Sequence, residues 1–365
     1  MKGGQKMVQT NVEKVTEALA GSGGKITMFA DGFVDEVWEI INERMSNTDY
    51  ALYTKMEQFA RRITSSGGVG LELVRKRRVF GGFTPNTGYT TARLGVDTTV
   101  IGVYGKNKLD PVFSEVDKIC NVYSIGDAAV THVFEFNDGK ILMSHMEAVQ
   151  DISWQSILDV VDIDKVRELL TQSDIIGVGY WSLLPAFDEI VEQICANMPS
   201  DGKLRRFFFD FADFRKKDVA SLNRTLKMLS ELNDRFPMML SVNEHEAAAL
   251  FALHNETLDD TGRPIAEKAE HIRARIGFSE FIIHSPKYAV AASSREAPAF
   301  VASAFCEKPM RNAGAGDAFN GGYLSASLAG LNTTERLQAA NAVVGHFLRT
   351  AVFPDIGQVA RFLDN

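Results

Sequence analysis

Cysteine is scarce in this chain: Cys120, Cys195 and Cys306 are the only three in 365 residues, widely separated and odd in number. They support neither a disulfide framework nor a metal-ligand spacing, and read as structural thiols of a reducing cytoplasm. The seven histidines show no ligand spacing either. His245-Glu246 begins like a zinc helix, but Ala249 stands where the second histidine of H-E-x-x-H belongs, so no zinc is expected. No window approaches the roughly 18 apolar residues of a membrane span. Residues 1–24 lack an apolar core and a small-residue cleavage site, so they read as a polar leader and not as a signal peptide. Positive charge is in deficit, and a net charge of −8 offers no general attraction to nucleic acid or anionic membrane. Internal repeats and long linkers are absent, and a cytoplasmic location is expected.

What is present is ordinary globular composition, 45% hydrophobic and 24% charged, with a regular rhythm. Ile26–Ala30 reads as a first buried strand, with Asp31 and Asp35 following it. Spacing of Tyr53, Met56, Ala60 and Ile63 predicts a helix over about 48–65, and Leu71 to Phe80 reads as extended. Thr84-Pro85 suggests an N-cap followed by proline at the first helical position. Two β-rich runs around Asn137-Asp138-Gly139 predict a hairpin outside the main sheet. From about residue 160 strands alternate with helices, which indicates a largely parallel sheet covered on both faces. The expected architecture is α/β: one doubly wound three-layer α/β/α domain over 25–365, with a small β-rich lid drawn from about 36–80 and 104–145.

The richest chemistry lies near the C-terminus. Arg311-Asn312-Ala313-Gly314-Ala315-Gly316-Asp317 leads into the small, apolar run Ala318 to Leu324. Two glycines permit a tight turn, and the first N–H groups of the helix that follows have no internal partner, so they point outward with the positive end of the dipole. This is an anion cradle with a carboxylate beside it. Stabilising a transferring phosphoryl group while deprotonating an attacking hydroxyl needs both parts, which points to phosphoryl transfer to an alcohol. The competing reading is that Asp317 complements a helix N-terminus and the glycines serve a turn.

The run resembles the C-terminal signature of the ribokinase-like (PfkB-type) carbohydrate kinases, usually D-T-T-G-A-G-D. By that resemblance Asp317 is the catalytic base, and the backbone of Gly314, Ala315 and Gly316 is the anion hole. Gly81-Gly82-Phe83-Thr84-Pro85-Asn86, with Leu94-Gly95 further on, is similar to the family's N-terminal signature and implies Gly81, Gly82 and Asn86 as substrate contacts. Asp35 occupies the place of the family's diol-binding aspartate, with Asp31 as the second candidate; either also suits a cap. Asn243-Glu244-His245-Glu246 resembles the N-x-x-E motif, so Asn243 and Glu246 are implied at the nucleotide, Glu246 holding magnesium through water; the same residues form a capping box, and the two roles are compatible. Asn341 matches a helix bordering the nucleotide base. Phe209 to Arg215 looks like the D-x-N-x-R segment, with Ala212 in place of asparagine.

The resemblance implies ATP and Mg2+ as cofactors and a sugar or sugar-like alcohol, phosphorylated on a hydroxymethyl group, as substrate. A nucleoside kinase, a sugar-phosphate kinase and a non-catalytic ligand-binding relative are the alternatives. Lid strands that pair between subunits in relatives leave a homodimer through the lid open. Three departures stand out. Arg311 replaces the aspartate that helps hold a monovalent cation in many relatives, so potassium is not expected. The strand that usually ends in Thr-x-Gly reads Ile283-His284-Ser285-Pro286, and the stretch from Asp35 to Gly81 is enlarged. The basic run Arg75-Lys76-Arg77-Arg78 is either a solvated strand face or a receiver of a substrate phosphate. Phe134 and Phe136 either stack on a nucleobase or pack within the lid or a dimer contact.

Overall fold

The strand Arg206–Asp210 shows how the chain builds its centre. Phe207 and Phe209 point into one hydrophobic core and Phe208 into another, all three fully buried, so the strand carries helices on both faces. A computed structural model describes residues 12–65 and 67–364 of the chain. Across its main sheet the strands run in the order Ala299–Ala302, Tyr288–Ser293, Glu280–His284, Met238–Asn243, Arg206–Asp210, Ile175–Gly179, Lys25–Phe29, Asp97–Val103 and Asn121–Gly126. Pairing is parallel from Glu280–His284 to Asn121–Gly126, and antiparallel for the two strands beyond Glu280–His284. One core unites the Ile163–Gln172, Phe187–Ala196, Val219–Leu232, Glu244–Leu253 and Ile265–Ile276 helices with the sheet; the other unites Phe83–Arg93, Ala315–Leu328 and Thr333–Thr350 with its opposite face. This is the expected three-layer sandwich. Among the described residues no helix is long and apolar enough to cross a membrane.

A second sheet forms the lid. Its long strand Phe33–Arg44 pairs antiparallel with Glu72–Gly81 and Tyr50–Leu52 and parallel with Ala129–Phe136, which in turn pairs with Gly139–His145 across the expected hairpin. Ile40, Tyr53 and Phe59 form a separate small core there, joined by Phe134, Phe136 and Ile141. Phe136 therefore packs inside the lid, its ring 5.6 Å from that of Phe59.

Several expectations change. The helix placed at 48–65 is confined to Met56–Thr64, because Tyr50–Leu52 pairs with the lid strand and Lys55 is extended. The lid's second segment begins at Ala129, since Asn121–Gly126 extends the main sheet at its edge. Of the leader, residues 1–11 lie outside the described residues. Val12–Ala20 is a helix that buries Val15 and Leu19 against the Ile356–Leu363 and Ala315–Leu328 helices. Pro85 sits inside the Phe83–Arg93 helix rather than at its first position, because the N-cap is Gly82.

Candidate active site

The helix Ala315–Leu328 is wedged between two others at contact distances that only glycine allows. A Cβ on Gly321 would meet Thr90 at 2.4 Å, and one on Gly322 would meet Ala340 at 2.9 Å. This close fit fixes the helix start against the Phe83–Arg93 helix and brings Asp317 to Asn86. Gly314, in the left-handed region at φ 87°, is the N-cap, and Ala318 N–H makes the first intrahelical bond to its carbonyl. Ala315 N–H donates to the Asn312 carbonyl at 3.2 Å, so the donors free for an anion lie on either side of it, at Gly314 and Gly316.

Asp317 is buried, with one donor on each oxygen: Asn86 Nδ2 to Oδ2 at 2.9 Å and the Tyr180 hydroxyl to Oδ1 at 2.9 Å. Burial, then the Asp210 charge, pushes this carboxyl well above the usual carboxylate range, while the two donors pull it back. Asn86 is itself buried, and its Oδ1 has no partner among the described residues. An unmet acceptor beside the base is what a substrate hydroxyl would satisfy.

The two glycines of the N-terminal motif each face a carboxylate. A Cβ on Gly82 would lie 2.8 Å from Asp31 Oδ2, and one on Gly81 would lie 2.6 Å from Asp35 Oδ2. The two aspartates then part roles. Asp31 is fully buried and accepts from Phe83 N–H and Thr84 N–H, both at 2.7 Å, so it caps the helix that carries Asn86 from across the chain. Its carboxyl is raised to about 7 by burial. Asp35 lies on the lid strand, opposite Val79 and Thr131, and its carboxylate makes no hydrogen bond to the described residues. Burial raises it to about 6, opposed by the charges of Arg311 and Lys140. Asp35 is thus the free carboxylate over the site, and Asp31 the structural one.

A second acidic group lies at the ends of the next strands. Asp210 accepts from Asn320 Nδ2 at 3.0 Å and from Ala212 N–H at 2.9 Å, and burial raises it to about 6. Asn243 and Glu246 form the capping box in full, both Glu246 oxygens accepting from Asn243. Burial, then Asp210, and to a lesser degree Asp213, push Glu246 up to about 9. Among the described residues no three His, Cys, Asp or Glu side chains stand close enough to chelate an ion directly. At Glu246 the Asp210 charge adds to the cost of burial, and a hydrated cation there would relieve it.

Asn341 accepts from the Ser303 hydroxyl at 3.2 Å, and its buried Nδ2 has no partner. His284 lies against Gly316, its Cε1 3.1 Å from where a Cβ would be, and 5.2 Å from the Phe319 ring. Burial lowers it to about 4, so it is a neutral imidazole. Arg311 is buried, donating to the carbonyls of Ala313 and Phe80 and lying over the rings of Phe347 and Phe353. The basic run is matched acid for base: Arg75 and Arg78 with Glu36, Lys76 with Glu39, Arg77 with Glu135, and Arg78 also bidentate on Asp110 at 2.6 Å. Of the two readings of this run, the salt-bridged strand face is the one the geometry favours.

Sequence reasoning missed Tyr180 and the part played by Asp210. Both stand at carboxyl ends of parallel strands, the edge where open α/β sheets bind ligands, and that rule was the available signal.

The family model of prokaryotic ketohexokinases matches residues 3–365. Ketohexokinase of Haloferax volcanii is 26% identical over 348 residues, covering 93% of this chain and 91% of that protein. Among solved structures, an Escherichia coli protein described as a ribokinase II, in complex with ATP and Mg2+, has a TM-score of 0.65 at 14% identity, covering 94% of this chain and 99% of that one. Arabidopsis thaliana ribokinase complexed with ribose and ATP has a TM-score of 0.61 at 16% identity, with 94% and 99% covered. At such identities the solved structures speak for the fold, and they agree with the sandwich described above.

Proposed function

The chain belongs to the prokaryotic ketohexokinase family and is a carbohydrate kinase, and on that premise we propose that it transfers the γ-phosphoryl group of ATP to a hydroxymethyl group of a ketohexose. The observation that carries the reading is Asp317, held on both oxygens at the mouth of a helix whose free N–H groups, at Gly314 and Gly316, come just before it. Asp317 takes the proton of the acceptor hydroxyl as its oxygen bonds to the γ-phosphorus. The bond from that phosphorus to the bridging oxygen breaks, and ADP leaves. Backbone N–H groups of Gly314 and Gly316 receive the equatorial oxygens. Asn86 Oδ1 and Asp35 accept from sugar hydroxyls, and Gly81 and Gly82 let the sugar approach the backbone.

Asn243, Glu246 and Asp210 supply a place for hydrated magnesium, which when bound would neutralise phosphate charge. Asn341 Nδ2 offers a donor toward the nucleotide. Arg311, a fixed cation packed into the loop before Gly314, supports activity without a monovalent cation.

A coupled ADP-release assay with magnesium-ATP tests the reading. Ketohexoses are expected to give the highest kcat/KM among free hexoses, pentoses, sugar phosphates and nucleosides, with no gain from added potassium. A nucleoside or sugar phosphate outrunning every ketohexose would overturn it.

Asp35 yields a separate expectation. Hydrogen bonds to a charged acceptor are worth about 1.5–3 kcal/mol, so Asp35→Asn raises the sugar KM roughly 10- to 150-fold with little change in kcat. Because burial holds Asp35 at about 6, the wild-type sugar KM climbs as pH falls through that value, and the KM of the variant does not. Initial-rate kinetics at several pH values read both effects.

A further inference from the structure

Asp317 has two oxygens and two protein donors, and only Asn86 belongs to a motif visible in the sequence. Its other donor, Tyr180, follows the strand Ile175–Gly179 directly, and its ring lies 5.9 Å from that of Phe83, the first residue of the helix bearing Asn86. Both donors are therefore tied to one helix start, one through the chain and one through packing.

We propose that Tyr180 is the positioning residue that aims Asp317 at the acceptor hydroxyl and keeps it a carboxylate. The inference rests on Asp317 being the base. Two donors on two oxygens fix the plane of the carboxylate, which a single hydrogen bond would leave free to turn. A base must also be ionised before it can accept, and the surroundings oppose that. Asp210, at the end of its strand, and Asp31, after the first strand, both face Asp317 with like charge. His284, on the far side of Gly316, is neutral and supplies no compensation. Arg311 acts on Asp317 as well, but its guanidinium is turned to main-chain carbonyls and aromatic rings. Hydrogen bonds from Tyr180 and Asn86 are the direct counterweight, because they favour the charged form. Burial also holds the Tyr180 phenol well above its usual range, so it stays a donor at every pH where the enzyme works.

Tyr180→Phe removes the hydroxyl and keeps the ring that packs on Phe83. Its kinetics are compared with those of wild type, Asp317→Asn and the double variant, using a ketohexose and magnesium-ATP from mildly acidic to alkaline pH. Loss of one hydrogen bond to a charged acceptor corresponds to roughly one to two pKa units. The acid limb of the kcat profile is expected to move up by about that much, with kcat at neutral pH falling roughly ten- to a hundredfold and recovering as pH rises. The KM for ATP stays within about twofold, and in the Asp317→Asn background the change has no further effect. Tyr180→Gln, which returns a donor, reverses part of the shift, and provides the test should Tyr180→Phe fail to fold by thermal unfolding. A drop by one constant factor at all pH values in either variant, an unmoved midpoint in Tyr180→Phe, or a Tyr180→Gln midpoint displaced as far as that of Tyr180→Phe, overturns the proposal. Retained turnover in Asp317→Asn instead overturns the assignment of the base, so the two failures are told apart.

Discussion

Asp317→Asn abolishes sugar-dependent ADP release, lowering kcat by about 10²–10⁴-fold or more, while the protein stays folded and its ATP affinity is little changed. The size follows from the proposed base role, since general-base transfer is then lost outright and the other carboxylates are committed elsewhere, Asp35 in that reading to the sugar hydroxyls. Asp31 is occupied by two backbone donors, and Asp210 by Asn320 and Ala212. The substitution should also be well tolerated. A new amide at 317 offers an oxygen to one donor and an NH2 to the other side. Asn86, whose Oδ1 is unpartnered, can turn its amide and accept from it. The Tyr180 hydroxyl can equally donate to the new oxygen. Stability has a definite sign. Burial raises the Asp317 carboxyl in the folded state, so the native protein binds its proton more tightly than the unfolded chain does. This group's contribution is present below the ordinary carboxylate pKa and is lost as pH rises through the raised native value. The variant, lacking that loss, is expected to gain stability over wild type as pH rises, by chemical denaturation at matched pH. Equal turnover in both proteins would remove Asp317 from the chemistry.

The turn from Gly314 to Asp317 was legible because its parts are neighbours in the chain: Gly314 is the N-cap and Asp317 the acidic residue of the first helical turn. Asp31 and Asp35 were not separable in sequence. Both follow the first strand, and their roles are set by chain far away, Asp31 by Phe83 and Thr84, Asp35 by the lid strand on which it rides. Charges in the run Arg75 to Arg78 look free in sequence, yet their partners Glu36, Glu39, Asp110 and Glu135 arrive from other segments. The strand Asn121–Gly126 escaped notice because a half-buried sheet edge needs no continuous apolar run. Helix 48–65 was overextended for a related reason. Of Tyr53, Met56, Ala60 and Ile63, Tyr53 joins the small lid core from just past the strand Tyr50–Leu52, while Ala60 and Ile63 are exposed on the helix Met56–Thr64, so their spacing only imitates one buried helix face. Tyr180 is the most instructive omission, because a lone tyrosine after a strand gains meaning only when Asp317, 137 positions later, is placed beside it.

Gly82→Ala is expected to damage stability and activity together, and the coupling is informative. Gly82 sits at φ 100° and ψ 159°, a region essentially confined to glycine, which costs another residue about 1–3 kcal/mol. The added Cβ would also lie 2.8 Å from Asp31 Oδ2 and 2.9 Å from the Phe33 ring, so the carboxylate must move. That carboxylate oxygen is the acceptor for Phe83 N–H, and a buried donor left unpaired costs about 1–3 kcal/mol more. A loss of roughly 2–6 kcal/mol by denaturant unfolding follows. Helix Phe83–Arg93 then starts from a displaced cap, and Asn86 moves with it, away from Asp317. A misplacement on the order of 1 Å in a catalytic contact costs about 10²-fold, so kcat/KM falls by that order even under conditions where the variant is fully folded. Gly70→Ala is the matched control: its Cβ would meet nothing within 4 Å and its φ is ordinary, so it stays within about 0.5 kcal/mol of wild type with unchanged kinetics. Loss of stability with full activity would mean that the cap and the base are not mechanically joined. Loss of activity alone would mean that Gly82 serves the substrate directly. The combined loss would make the Asp31 cap what holds Asn86 on the Asp317 carboxylate.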